Sequence, residues 1–129
     1  MKKILLILLA VLLLAGCGSD KIDGEALYKT IDGDIALEFV TNSKAILIDV
    51  RSFEEFEKNH IEGAINIPYD TITKEKLDNV TNSEIDNIIV YCQSGGRSKE
   101  AAIKIIEFGY TNVYDLGSIN NWEIETNEK

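Results

Sequence analysis

The residues with the most chemistry in this chain are Cys92 and Arg97, joined by Gln93-Ser94-Gly95-Gly96 and followed at once by Ser98. A compact turn that aims successive backbone N–H groups at one point tolerates little side-chain bulk, and Gly95 and Gly96 can take the positive φ values such a turn requires. The outcome is a nest for an anion. N–H dipoles, the amino end of a helix expected from Ser98 and the Arg97 guanidinium all favour a thiolate over a neutral thiol, so Cys92 is expected to be a charged nucleophile at neutral pH. A cysteine that merely filled the core at a strand end would need neither Gly-Gly nor the arginine of Cys92-Gln93-Ser94-Gly95-Gly96-Arg97. The single histidine, His60, argues against a structural zinc site, which normally recruits four cysteine or histidine ligands. No metal and no cofactor is expected.

The elements that must position this loop read as alternating strands and helices. Ala45-Ile46-Leu47-Ile48-Asp49-Val50 and Ile88-Ile89-Val90-Tyr91 are near-continuous apolar runs rich in branched residues, as expected of strands buried on both faces of a parallel sheet. Asp49 falls at the carboxyl end of the first run and Cys92 directly after the second. Shorter strands are expected from Tyr28 to Ile31, from Ala64 to Ile67 before Pro68, and from Val113 to Leu116. Helices are expected around Ile35 to Val40, after a Ser52 cap through Phe56, around Leu77 and Val80, and from Ser98 to Phe108 with Gly109 as its stop. A last helical turn or two from Ile119 to about Ile124 carries Trp122, most simply a core anchor. This pattern is an α/β domain with a mainly parallel sheet and right-handed crossovers, in which ligands bind beyond the carboxyl ends of the strands.

The amino terminus stands apart. Lys2 and Lys3 precede an uncharged apolar run from Ile4 to Ala15, too short for a membrane span, which reads as a secretory signal. Its end, Leu14-Ala15-Gly16-Cys17, resembles the lipobox of bacterial lipoproteins, which implies that residues 1–16 are removed and Cys17 becomes the acylated first residue. Residues 17–27 then form a polar tether, 28–125 the folded domain and 126–129 a polar tail. With Cys17 acylated, Cys92 is the remaining thiol and no internal disulfide can form. Setting Lys2 and Lys3 aside takes the formal net charge from −9 to −11. That surface repels nucleic acid and anionic headgroups, so membrane attachment is left to the lipid. The expected location is outside the cytoplasm, anchored to a bacterial membrane.

Three blocks together resemble the rhodanese family of sulfurtransferase domains. They are Asp49-Val50-Arg51 with Glu54-Glu55-Phe56 and His60-Ile61-Glu62-Gly63-Ala64-Ile65-Asn66-Ile67-Pro68; the loop from Cys92 to Ser98; and Gly109-Tyr110-Thr111-Asn112-Val113-Tyr114-Asp115-Leu116-Gly117 leading to Trp122. The resemblance implies a three-layer fold with a five-stranded sheet flanked by helices. It also implies that Cys92 accepts sulfane sulfur from thiosulfate, polysulfide or a persulfide and passes it to a thiol, to cyanide or to a protein acceptor. The loop amides would hold the persulfide and Arg97 an anionic donor. Asp49 and Arg51 would brace the site, and His60 would stabilise the bend before the next strand; a monomer is expected. Four residues between Cys92 and Arg97 match the sulfurtransferase form, whereas the related phosphatase and arsenate reductase domains have one more. Gln93 stands where many relatives carry arginine, which weakens the pull on a doubly charged donor; Asn59 and Ser118 replace glycines. A carrier that holds sulfur or binds a partner without free turnover is the alternative, and a small phosphatase or arsenate reductase a more distant one.

Overall fold

The computed structural model describes residues 28–42, 45–82, 86–123 and 127–128. Cys17, the signal segment and the tether lie outside the described residues. The strands are β1 (Lys29–Thr30), β2 (Ala45–Asp49), β3 (Asn59–His60), β4 (Ile65–Asn66), β5 (Asn87–Cys92), β6 (Val113–Ser118) and β7 (Asn127–Glu128). The helices are α1 (Gly33–Asn42), α2 (Phe53–Lys58), α3 (Lys74–Val80) and α4 (Gly96–Glu107), with 3-10 turns at Tyr69–Thr71 and Ile119–Asn121.

Five strands form one sheet in the order β1-β6-β5-β2-β4, every pair parallel. The central position of β5 explains its composition, since both of its faces are covered. Alternate residues feed two cores. Ile48, Val50, Ile88, Val90, Cys92 and Val113 pack with Leu77 of α3 and Ala101, Ala102 and Ile105 of α4. Leu47, Ile89, Tyr91 and Leu116 pack on the opposite face with Ala36 of α1, Ile61 and Ile119. The sheet therefore lies between two helical layers, and Cys92 faces the α4 side.

Local sequence explains the connections. Ser52 caps α2: its hydroxyl accepts from the Glu55 N–H at 3.2 Å, and the Glu55 carboxylate accepts from the Ser52 N–H at 3.0 Å. This reciprocal box lets six residues hold a helix that buries none of its side chains. Thr73 caps α3 in the simpler way, accepting from the Lys76 N–H.

Three expectations need adjustment. Helix α4 begins at Gly96, two residues before Ser98, so Gly96 and Arg97 belong to its first turn. Only Gly95 of the glycine pair has positive φ (100°), and a Cβ at Gly96 would meet nothing within 4 Å. The helical turn or two expected from Ile119 is one 3-10 turn, Ile119–Asn121, with Trp122 already extended; Ile124 lies outside the described residues. Asn127–Glu128 pairs antiparallel with Asn59–His60 as a second, two-stranded sheet.

Candidate active site

Cys92 ends β5 at the carboxyl edge of the sheet and is 1% exposed. Its sulfur is buried among apolar residues yet accepts two backbone hydrogen bonds, from Gly95 N at 3.0 Å and Ser98 N at 3.3 Å. The left-handed conformation of Gly95 sets the direction in which α4 leaves the loop, and the Ser98 N–H of its first turn, which has no intrahelical partner, faces Sγ beside that of Gly95. Two N–H dipoles stabilise negative charge on that atom wherever it resides, on the thiolate or on a sulfur attached to it.

The loop is tied from three sides. Ser98 Oγ donates to the Gly95 carbonyl at 3.1 Å, and Ser118 Oγ at the end of β6 donates to the Gln93 carbonyl at 2.7 Å. Arg51 Nη1 donates to Gln93 Oε1 at 3.2 Å. The β5–β6 register slips between Val90 and Tyr91, so that Tyr91 pairs with Gly117 where Val90 paired with Asp115. This bulge at Leu116 sets the last residues of β6 toward the loop. Asp115 itself is 7% exposed; burial pushes its carboxyl up, against hydrogen bonds from Ser98 and from the Gly117 N–H at 2.8 Å.

Beneath the loop lies a buried ion pair. Arg51 Nε reaches both Asp49 oxygens at 3.1 Å and Nη2 reaches Oδ2 at 2.8 Å, with both side chains at most 1% exposed. Its remaining donors go to Gln93 and to the Asn59 carbonyl at 2.6 Å. Burial works to lower the affinity of Arg51 for its proton, but the Asp49 carboxylate more than compensates. Asn66 Nδ2 donates to the carbonyls of both Asp49 and Arg51, at 3.0 Å each, which fixes the turn between them. Tyr91, pushed well up by burial, accepts from the Ile61 N–H at 3.1 Å.

Arg97 is placed differently. Its guanidinium makes a two-pronged pair with Glu55, Nη1 to Oε2 at 2.8 Å and Nη2 to Oε1 at 2.9 Å, with the side chains 41% and 33% exposed. The Glu55 hydrogen bonds hold Arg97 above its ordinary value, and Arg97, with help from Ser52, pulls the Glu55 carboxyl down to about 2. Next to Arg97 a groove of about 470 Å³ is lined by Ser52, Phe53, Glu54, Pro68 and Asp70, with Phe53 60% exposed.

The structure thus brings Cys92, Gly95 and Ser98 together at the sulfur, with Asp49 and Arg51 buried beneath it and Gln93 and Ser94 on the exposed outer turn. His60 is engaged elsewhere: its Nδ1 lies 2.9 Å from the Phe56 carbonyl and its ring stacks on Phe56 at 3.9 Å. Trp122 is half-buried against the α1-side core. Sequence reasoning overlooked Glu55, Asn66 and Asp115. The Ser52-x-x-Glu55 spacing carried a signal for the first, since a capping box leaves a carboxylate beside whatever the next loop presents.

The rhodanese-like domain family matches residues 33–125, and a prokaryotic membrane lipoprotein lipid attachment site matches residues 1–17. Thiosulfate sulfurtransferase PspE of Escherichia coli is 36% identical over 74 residues, 57% of this chain and 70% of that protein. Thiosulfate sulfurtransferase 16 of Arabidopsis thaliana is 41% identical over 85 residues, 58% of this chain and 71% of that protein. The chain spans 22% of the adenylyltransferase and sulfurtransferase UBA4 of Meyerozyma guilliermondii, at 34% identity over 69% of its own length. Among solved structures, a rhodanese with anions from E. coli superposes with a TM-score of 0.60 at 30% identity, covering 66% of this chain and 99% of that one. Among the described residues no helix is long and apolar enough to cross a membrane.

Proposed function

The chain belongs to the rhodanese-like domain family, and from that premise we propose that it is a sulfurtransferase working through a persulfide on Cys92. The observation that carries this reading is the pair of N–H groups, Gly95 and Ser98, aimed at Sγ. Cys92 as thiolate attacks the outer sulfur of a sulfane donor; the S–S bond of the donor breaks and sulfite or a thiolate leaves with the electron pair. The new Cys92–S–S⁻ is held by the loop amides. A thiol acceptor, as thiolate, then attacks the terminal sulfur, and Cys92 departs with the electrons of the bond that breaks. Two displacements on one enzyme-bound intermediate give ping-pong kinetics. The groove beside Arg97, with Phe53 at its lip, supports an acceptor approach from the α2 side.

The lipid attachment site supports a mature protein tethered through acylated Cys17, with the catalytic domain outside the cytoplasm. A carrier that releases sulfur to one protein partner is the second reading, and the 1% exposure of Cys92 favours it, because a buried persulfide is shielded from casual thiols. One experiment separates the two. The protein is incubated with polysulfide or thiosulfate, weighed intact, treated with a small thiol and recharged, with Cys92→Ser as the blank. A sulfur adduct that forms and discharges over repeated cycles is expected. An adduct that survives small thiols indicates the carrier, and equal labelling of the Cys92→Ser protein removes both readings.

A further inference from the structure

The positive charge next to Cys92 is already spoken for. Arg51 is buried against Asp49 and gives its other donors to Gln93 and Asn59. Arg97 is held on both prongs by Glu55. Gln93, directly after the nucleophile, is neutral, and the groove beyond Arg97 presents Glu54 and Asp70, both exposed acids. Lys99, further along α4, acts on Asp115. Two guanidiniums are therefore balanced by two carboxylates at the site, and an incoming anion finds the backbone dipoles of Gly95 and Ser98 as its support. Those suit a single negative charge centred on sulfur. A dianion whose oxygens reach the rim must displace Glu55 from Arg97 and approach two further acids.

We infer that Glu55 is a specificity-determining residue which, by occupying Arg97, turns the site toward singly charged hydropersulfides of small thiols and away from doubly charged oxyanion donors such as thiosulfate. The inference rests on the sulfurtransferase reading above and adds the class of donor to it. Glu55 acts through Arg97, as a positioning residue, and the pair is weak enough to tune, because both side chains remain partly in solvent.

Glu55→Gln tests this cleanly. Glutamine at the same position still accepts from the Ser52 N–H, so the α2 box survives while the negative charge goes. The expected result is that kcat/KM for thiosulfate rises about tenfold, mainly through a lower KM, as one charge-assisted contact is released to the donor. The value for the persulfide of 2-mercaptoethanol, whose one negative charge sits on the terminal sulfur, is expected to change less than about twofold, since that sulfur is held by the amides. Circular dichroism and thermal melting check that the variant is folded, and Glu54→Gln, which removes a charge of the same sign without touching Arg97, is expected to give a smaller gain. A thiosulfate-to-persulfide ratio unchanged by Glu55→Gln overturns the inference, as does an equal loss with both donors. Wild-type protein that loads from neither donor overturns the sulfurtransferase reading and this inference with it.

Discussion

Two guanidinium–carboxylate pairs flank the same loop, and their settings could hardly differ more. Asp49–Arg51 lies under it with both side chains at most 1% exposed, whereas Glu55–Arg97 lies on the rim at 33% and 41%. The inner pair is well partnered: Gln93 and the Asn59 carbonyl take the remaining guanidinium donors, and Asn66 ties the backbone carbonyls of both residues. The outer pair has water on one side and a groove on the other. A charge pair removed from water holds shape, because either member alone is intolerable there; a pair at the surface holds charge in place at little energetic expense and can be exchanged for a ligand. The wall beneath the loop is thus read by stability measurements and the rim by kinetics.

The most severe way to break that contrast is to remove one arginine from each pair. Arg51→Ala leaves the Asp49 carboxylate buried and uncompensated and is expected to cost about 3–5 kcal/mol in urea unfolding. Arg97→Ala is expected to cost no more than about 1 kcal/mol while lowering sulfur loading from thiosulfate more than from a singly charged persulfide. Equal losses of stability would erase the distinction. A finer cut compares the two loop glycines. Gly95→Ala forces a Cβ into the left-handed region, at about 1–2 kcal/mol, and swings an amide away from Sγ. Gly96→Ala, inside the first turn with open space around it, is expected to be neutral or to stabilise by up to about 1 kcal/mol. Loading rates from a sulfane donor should fall for the first and hold for the second.

The smallest effect concerns Asp115, on the inner side. Its carboxyl titrates above the ordinary 3.8 because burial disfavours the charge. Between 3.8 and the raised folded value, the folded protein keeps a proton that the unfolded chain has released, so stability falls as pH rises through that window and the ionised group is a net cost above it. Asp115→Asn, which still offers an acceptor to Gly117, is expected to flatten that stretch of the pH–stability curve and to be slightly more stable at neutral pH. A steeper curve in the variant would show that the carboxylate helps rather than strains the loop.

Much of this arrangement was legible in the sequence where local pattern alone decides it. Ala45–Ile48 and Ile88–Tyr91, within β2 and β5, are apolar on both faces and read as central strands. Ser52 announced its helix, and the five-stranded parallel sheet followed from the alternation of elements, more uniformly than expected since no strand in it is reversed. What stayed hidden depends on approach between distant segments. Glu55 and Arg97 are 42 residues apart, and whether the arginine turns to substrate or to a neighbouring carboxylate is decided by how α2 sits against the start of α4. The pairing of Asn59–His60 with Asn127–Glu128 gave no periodic signal, because two residues are too few to show one. The bulge that buries both Asp115 and Leu116 breaks the alternation on which strand reading relies. Gly-Gly looked like one signal and is two: a turn at Gly95 and an ordinary helical position at Gly96.

Cys92 has dual membership: it is the proposed nucleophile and also part of the packed layer shared with Ala101, Ala102 and Ile105 of α4. Adding an atom to its side chain enlarges a component of that layer, and interiors at this density do not absorb extra volume silently. Under the proposed persulfide chemistry cargo and architecture are coupled, and the melting temperature is expected to shift with the amount of sulfur loaded.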